Sequence, residues 1–158
     1  LAVKVLNLDE APPVVTLLGD ANATHEAGTT WVDPGYTAVD AVDGNLVDSV
    51  AVSGSVLANV PGVYSLTYSV SDSSGNVGSA VRTVTAQDST SPVITLLGDA
   101  NATHQTGTSY VDAGATWTDS VDGEGMVSAT GAVNVAVTGV YLLTYDFTDN
   151  AGMWRLGW

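Results

Sequence analysis

Short runs in which apolar and small polar residues alternate, separated by turn residues, make up most of the chain. Residues 63–71 (VYSLTYSVS) follow this pattern, and residues 140–148 (VYLLTYDFT) repeat it. Successive side chains of a strand point to opposite faces, so both runs predict central strands of a sheet. Each run follows a glycine turn and leads into Asp72 or Asp149, with a glycine three residues later. Since no useful stripe with helical spacing occurs, the pattern predicts an all-β chain.

The chain contains an internal duplication. The ten residues TLLGDANATH occur at 16–25 and again 79 residues later, at 95–104. The alignment then pairs His25 with His104, Trp31 with Tyr110, Asp33 with Asp112, Asp40 with Asp119 and Asp43 with Asp122. After these positions the register shifts by two residues, so that Gly62 aligns with Gly139 and Asp72 with Asp149. About seven short strands per repeat, with regular turn signals, predict two tandem immunoglobulin-like β-sandwich domains.

The duplication also predicts the domain boundaries. Residues 1–11 are similar to the last strand and linker of a preceding repeat. The first repeat covers 12–88, and the second covers 89–158 and lacks most of its last strand. A polar segment at 88–92, which ends in proline, joins the two repeats.

Five motifs in a fixed order carry a family resemblance. They are PVITLLGD, YxDxGA, DxVDG, GxYxLTYxVxDxxGN and RTVT. With them the chain resembles the bacterial immunoglobulin-like repeats of pesticidal crystal toxins and large cell-surface proteins, relatives of hyalin-type repeats. The resemblance covers nearly the whole chain. It implies a non-catalytic β-sandwich module of an extracellular, usually multidomain protein.

The charge of the chain narrows the choice of partners. Three basic residues against 17 acidic ones give a net charge of -14, which repels nucleic acid and anionic membrane surfaces. The chain has no cysteine, so disulfides, thiolate metal sites and cysteine nucleophiles are excluded. It has no apolar run of 18 residues, so we expect no insertion into a membrane.

Catalytic signals are also missing from the sequence. His25 and His104 occupy equivalent positions and have no distinctive sequence partner, so we expect each to form local hydrogen bonds. Phosphate-binding glycine loops and the HExxH and GxSxG motifs do not occur. The sequence therefore predicts that the chain is not an enzyme and requires no cofactor.

Acidic residues give two hypotheses for a metal site, with calcium as the candidate ion. In the first, the two carboxylates of each DxVDG loop converge on one ion, although two carboxylates alone supply too few ligands for calcium. In the second, linker acids bind an ion that stiffens one sandwich against the next. Both compete with a simple Asp-Gly turn. The candidate ligands are Asp40, Asp43, Asp119 and Asp122 in the loops, and Asp9 and Asp88, with Glu10, in the linkers.

Aromatic residues offer a different kind of site. Trp31, Tyr110 and Trp117 lie in the first halves of the repeats, where exposed rings can stack on sugars. The competing interpretation is that these rings fill the core. Surface glycans are therefore an alternative partner.

The two ends of the sequence suggest a mode of assembly. Trp154, Leu156 and Trp158 alternate with Arg155 and Gly157, which would place three apolar groups on one face of an incomplete edge strand. Residues 1–8 of another copy, with Leu1, Val3, Val5 and Leu8, would add the missing strand. Such head-to-tail addition does not close and would produce filaments. The alternative is that these ends are arbitrary cuts in a longer array of repeats.

The function predicted from the sequence is structural. We expect an extracellular or bacterial cell-surface module that forms a stalk, adhesin or filament subunit, whose partners are other copies of itself or neighbouring repeats. A glycan-binding module of a secreted multidomain protein is the alternative.

Overall fold

A computed structural model describes residues 1–3 and 9–157 of the chain. The chain divides into two compact units, Leu1–Gln87 (unit 1) and Asp88–Trp158 (unit 2). The regular secondary structure described in each unit consists of strands, apart from one short 3-10 turn in unit 1, as the alternating pattern predicts. No helix in the described residues has the length and apolar character needed to cross a membrane.

Unit 1 is an immunoglobulin-like sandwich of two sheets. One sheet has the order β1-β3-β4, and the other has the order β2-β7-β6-β5. Neighbouring strands are antiparallel except β2 and β7, which run parallel. The strands are β1 (Val14–Leu17), β2 (Asn22–Glu26), β3 (Tyr36–Asp40), β4 (Gly44–Asn45), β5 (Ala51–Ser53), β6 (Gly62–Ser71) and β7 (Val77–Gln87), with a short 3-10 turn at Val47–Ser49.

The core of unit 1 lies between these sheets. Leu66, Tyr68 and Val70 alternate along β6 and are buried, as are Val84 and Ala86 on β7. The residues between them point outward, so the period of two in the sequence corresponds to the inner and outer faces of the sheet. The strand predicted at 63–71 is therefore confirmed.

Unit 2 repeats the first sheet and part of the second. Its strands are β8 (Val93–Leu96), β9 (Ala115–Asp119), β10 (Gly123–Val127), β11 (Tyr145–Thr148) and β12 (Trp154–Gly157). The sheet order is β10-β9-β8, and β11 pairs with β12.

The prediction of seven strands per repeat is confirmed in unit 1 and wrong for the described residues of unit 2, which form five. The strand predicted at 140–148 is regular only from Tyr145, although Thr144 forms an isolated bridge with Thr130. A strand needs a hydrogen-bonded neighbour along its length. β6 has β7 beside all ten of its residues, whereas β11 pairs with four residues of β12.

Candidate metal centres

The DxVDG motif of unit 1 forms the turn between β3 and β4. Asp40 is the last residue of β3, and its Oδ1 accepts hydrogen bonds from the backbone N–H groups of Val42 (2.7 Å) and Asp43 (2.9 Å). Gly44 begins β4 with φ +77°, a conformation that side-chain-bearing residues rarely adopt. The sequence thus dictates a tight turn in which Asp40 and Asp43 lie close together.

A second turn holds Asp43 in place. Ser73 lies between β6 and β7, and its backbone N–H donates to Asp43 Oδ2 at 2.7 Å. Its hydroxyl donates to Asp43 Oδ1 at 2.9 Å. Both oxygens of Asp43 are therefore positioned by Ser73, which lies 30 residues further along the chain.

The linker before β1 reaches the same place because of strand register. β1 is antiparallel to β3 with Val14 opposite Val39, so residues that precede β1 lie beyond the end of β3. Asp9 Oδ1 accepts a hydrogen bond from the N–H of Ala11 at 3.1 Å. The side-chain amide of Asn76 donates to the carbonyl oxygen of Asp9 at 3.0 Å and so anchors the linker.

Asp9, Asp40 and Asp43 form an acidic triad in unit 1. Each offers one carboxylate oxygen, and these oxygens lie within 4.8 Å of one another. Asp40 is only 4% exposed. The Oδ2 atoms of Asp40 and Asp9 are both buried and have no hydrogen-bond partner. Two carboxylate oxygens in this cluster therefore lack the donor that a buried anionic group normally has.

Unit 2 contains the same arrangement 79 residues later, formed by Asp88, Asp119 and Asp122. Asp119 Oδ1 accepts the N–H groups of Val121 (2.8 Å) and Asp122 (3.0 Å). Asn150 takes the place of Ser73 and donates its backbone and side-chain N–H groups to Asp122. Asp88 is 8% exposed. The bonds within the turn and to Asp122 are thus equivalent, whereas Met153 replaces the Asn76 that anchors the linker in unit 1.

All six aspartates predicted from sequence therefore belong to these triads, but the sequence divided them between two hypotheses. The structure joins loop and linker aspartates in one cluster per unit. The serine, asparagine and amide groups that hold the triads were not predicted. Their signal in the sequence is the turn after each long strand, DSSGN at 72–76 and DNAGM at 149–153.

A separate buried polar group in unit 1 connects its two sheets. Arg82 on β7 is fully buried and forms an ion pair with Asp33. It also donates to the carbonyl oxygens of Leu18 and Gly35. The hydroxyl of Tyr68 donates to the other oxygen of Asp33 at 2.5 Å. Burial, together with this hydrogen bond to a carboxylate, raises the pKa of Tyr68 to about 12.

In unit 2 the tyrosine and aspartate recur. Tyr145 donates to Asp112 Oδ2 at 2.6 Å, and this bond, together with burial, raises the pKa of Tyr145 to about 12. Both tyrosines are therefore neutral over the physiological range. They act as fixed hydrogen-bond donors within the sandwich.

The two histidines form local contacts, as predicted. Nε2 of His25 lies 3.2 Å from the carbonyl oxygen of Thr29. Nε2 of His104 lies 3.1 Å from the carbonyl oxygen of Thr108. Each histidine thus belongs to the hydrogen bonding of its own loop.

The candidate glycan-binding rings are all half-buried. Trp31 and Tyr110 each pack against the edge of the preceding histidine, with centroid distances of 5.6 and 5.3 Å. Trp117 stacks on Phe147 at 3.8 Å, so one of its faces is covered. Tyr110 also lines an open depression in unit 2. Glycan binding by these rings stays a prediction.

The proposed assembly edge is described only in part. Leu1 and Val3 are exposed, and Trp154 is an exposed residue of β12. Val5, Leu8 and Trp158 lie outside the described residues, and of Leu156 only its backbone place in β12 is described. Strand addition also stays a prediction, and deletion of residues 1–8 is its test.

Comparison with solved structures gives distant likenesses. The lipoprotein BT2262 of Bacteroides thetaiotaomicron shares 22% identity with a TM-score of 0.47, and the match covers 91% of this chain and 60% of that one. The CBM51-2 and INT domains of Clostridium perfringens ZmpB, solved in complex with GlcNAc, share 20% identity with a TM-score of 0.40, over 91% and 26% of the two chains. The chain thus spans less than two thirds of either protein. No curated protein sequence matches it.

One family model matches the sequence of both units. The model of the family described as "Bacterial surface protein, Ig-like domain" matches residues 15–86 and 94–155, once in each unit. The resemblance identified from the sequence motifs is therefore confirmed. The chain belongs to this family of bacterial surface immunoglobulin-like domains and carries two of them in tandem.

Proposed function

We propose that the chain is a non-catalytic spacer of an extracellular bacterial surface protein, in which unit 1 bears tension along a stalk or adhesin. The observation that carries this proposal is the parallel pairing of β2 with β7. β2 lies near the start of unit 1, and β7 is its last strand. A pull on the start of β2 and the end of β7 therefore acts along this ladder.

Parallel strands that are pulled in opposite directions share the load among all their hydrogen bonds. β2 and β7 pair over five residues, from Asn22 opposite Thr83 to Glu26 opposite Gln87. Two further backbone bonds of 2.8 Å extend the ladder, from Thr83 N–H to Ala21 and from Ala27 N–H to Gln87. These bonds must break together, whereas a pair of strands opened from one end loses its bonds one at a time.

The polar residues that the two repeats share support a structural role. Asp33 and Asp112 bind tyrosines that bridge within each sandwich, and the histidines bind loop carbonyls. Such groups stabilise a fold without needing a substrate. Their neutral, fixed hydrogen-bond donors are suited to a module that keeps its form under load.

Single-molecule pulling through introduced cysteines tests the proposal, because the chain has no cysteine of its own. Cysteines at Asp20 and Gln87 load the β2–β7 ladder along the strands. Cysteines at Val63 and Gln87 pull apart β6 and β7 at one end, where Val63 lies opposite Thr85. All three positions are exposed. We expect a higher rupture force for the first pair than for the second in the same full-length chain.

Equal rupture forces for the two pairs would overturn the load-bearing role. Binding to a polysaccharide array that is lost in Trp31→Ala or Trp117→Ala, with folding retained, would instead establish the glycan-binding alternative. Asp20→Asn is a suitable control for the array, because Asp20 is exposed and is not one of the candidate rings.

A further inference from the structure

We propose that each unit binds one calcium ion through its acidic triad, Asp9, Asp40 and Asp43 in unit 1 and Asp88, Asp119 and Asp122 in unit 2. The bound ion would connect the linker that precedes β1 to the turn that follows β3 in unit 1. In unit 2 it would connect the linker that precedes β8 to the turn that follows β9. This inference concerns ion binding and does not depend on the load-bearing role.

The unpartnered oxygen of Asp40 carries the proposal for unit 1, and the same site is proposed for unit 2 because its triad occupies the equivalent positions. Asp40 is only 4% exposed, and its Oδ2 is buried without a hydrogen-bond partner. Burial of an anionic oxygen without a compensating partner is costly, and proteins normally pair or coordinate such groups. The Oδ2 of Asp9 is in the same condition. A cation among these oxygens supplies the missing partner for both.

The negative charges of the triad also favour a bound cation. Three carboxylates approach one another within 4.8 Å, and like charges at this distance repel. The ion pair between Arg82 and Asp33 lies outside the triad and does not offset this repulsion. A divalent cation would offset the repulsion that the fold creates by bringing the linker onto the turn.

The donor atoms select a hard cation, since carboxylate oxygens suit calcium and magnesium better than softer metals. Calcium binds oxygens at about 2.3–2.6 Å, so two of its ligands lie at most about 5 Å apart. Magnesium binds at about 2.0–2.1 Å, which limits its ligands to about 4 Å and demands near-ideal octahedral geometry. The oxygens of the triad lie within 4.8 Å of one another, so every pair falls inside the calcium limit, and calcium tolerates irregular geometry better than magnesium does.

Coordination by the triad is incomplete without water. A carboxylate can accept about four hydrogen bonds or metal contacts, so the oxygens of Asp43 can still ligate while bound to Ser73. Calcium takes about six to eight oxygens, and solvent would provide those that three aspartates do not. We therefore expect a weak site, with a Kd of about 10⁻⁴–10⁻³ M, as in extracellular calcium modules.

Calcium titration of the full chain by isothermal calorimetry tests the proposal. The wild type should bind two ions. Asp40→Asn and Asp119→Asn should each leave one ion, and the double variant should bind none at millimolar calcium. The exposed pair Asp20→Asn/Asp99→Asn is the matched control, since it lies outside the triads at the same spacing of 79 residues and removes the same charge.

Thermal melting separates ion binding from a structural role of Asp40. An asparagine can keep the Oδ1 bonds to the turn and removes the unpartnered anionic oxygen. Asp40→Asn/Asp119→Asn should thus melt no lower than the wild type without calcium, and should lose the rise in Tm that calcium gives the wild type. Asp9→Asn/Asp88→Asn provides a second test if the first variant does not fold.

Three results would overturn the proposal. One is the absence of binding by the wild type at 10-fold above the expected Kd. Another is the retention of two ions by a folded double variant. The third is a loss of binding in Asp20→Asn/Asp99→Asn equal to that in the triad variants, which would show that calcium responds only to net charge. An equal response to magnesium would overturn the choice of calcium.

Discussion

The two units differ most clearly in where they place a large ring on one strand. In unit 1, β3 carries Tyr36 and Ala38 on one face, whereas β9 of unit 2 carries Ala115 and Trp117 at the matching positions. The ring has thus moved two residues along the strand, and an alanine occupies the vacated position. Both alanines are fully buried.

The partners of the ring have changed with it. Tyr36 packs against Tyr68 at 4.9 Å, while Trp117 stacks on Phe147 at 3.8 Å. Phe147 aligns with Val70, two residues beyond the tyrosine that both units share. Aromatic contact between the sheets is therefore retained in unit 2, but one step further along.

The neighbouring strand shows a matching exchange. Gly125 lies opposite Trp117, and a Cβ atom there would lie 2.8 Å from the indole nitrogen. In unit 1, Leu46 lies beside Ala38 and donates its N–H to the carbonyl oxygen of Ala38. A small residue faces a large one in both units, with the two exchanged. Core volume thus lies at different positions in the two units, while the turn aspartates keep their places.

Breaking the ion pair of Arg82 with Asp33 in unit 1 should have the largest effect. We expect Arg82→Met to destabilise unit 1 by about 3–4 kcal/mol, because it leaves Asp33 without its counter-ion and removes the hydrogen bonds that Arg82 donates to the carbonyl oxygens of Leu18 and Gly35. Hydrogen exchange measured on peptides of each unit in the full chain should show faster exchange in unit 1. Asp33→Asn in the same chain should recover part of the loss. Equal exchange in both units would contradict the prediction.

Removing the displaced ring should be nearly as costly, and in unit 2 alone. Trp117→Ala creates a cavity beside Phe147 and should cost about 3 kcal/mol, toward the low end for tryptophan because the ring is half-buried. Adding Gly125→Leu copies the Ala38 and Leu46 arrangement and should restore part of the stability. Chemical denaturation followed by hydrogen exchange tests both variants. If the double variant is less stable than Trp117→Ala, the leucine at position 125 does not compensate for the lost ring.

A smaller effect should come from the turn after the long strand. Asn76 donates to Asp72 Oδ2 at 2.7 Å, whereas Met153 takes its place in unit 2 and Asp149 Oδ2 is buried without a partner. Asn76→Met should destabilise unit 1 by about 1–2 kcal/mol, and Met153→Asn should stabilise unit 2 by up to about 1 kcal/mol. Thermal melting with unit-resolved exchange measures both. A loss of stability in Met153→Asn would contradict the expected bond.

The same turn gives unit 1 a dependence on acid. Burial alone would raise the pKa of Asp72, but hydrogen bonds from the Asn76 side chain and from nearby backbone amides outweigh it and lower the pKa below its ordinary value. The stability that Asp72 contributes is therefore present above about pH 4, and is lost as pH falls through the folded pKa. In Asn76→Met, acid unfolding of unit 1 should begin at a higher pH.

The smallest effect we expect is a loss of stability at alkaline pH, which both units should share. The pKa of Tyr68 and Tyr145 is about 12 in the folded chain, above the ordinary value of 10.0. Their contribution is complete below pH 10 and is lost as pH rises through 12, because the unfolded tyrosines ionise first. Alkaline titration followed by tyrosine absorbance should show parallel loss in both units. Tyr145→Phe should remove this dependence from unit 2 only.

Much of unit 1 follows from local pattern in the sequence. The alternation at 63–71 predicts β6 and its buried face, and the DxVDG spacing predicts the turn that holds Asp40 and Asp43. The position of Asp9 could not be predicted, because it depends on the register of β1 against β3. Arg82 was also missed, since a lone arginine in a strand gives no sign that Asp33 lies opposite. Irregularity at 140–144 likewise reflects pairing with another strand, which periodicity does not encode.

The acidic triads also bear on how repeat number can change in evolution. All three aspartates of a unit lie within one short stretch, 9–43 in the first and 88–122 in the second. A recombination breakpoint anywhere between Asp43 and Asp88 therefore copies or deletes a whole triad together with the linker residue that belongs to it. An array of such repeats can lengthen or shorten without leaving a partial cluster at the junction.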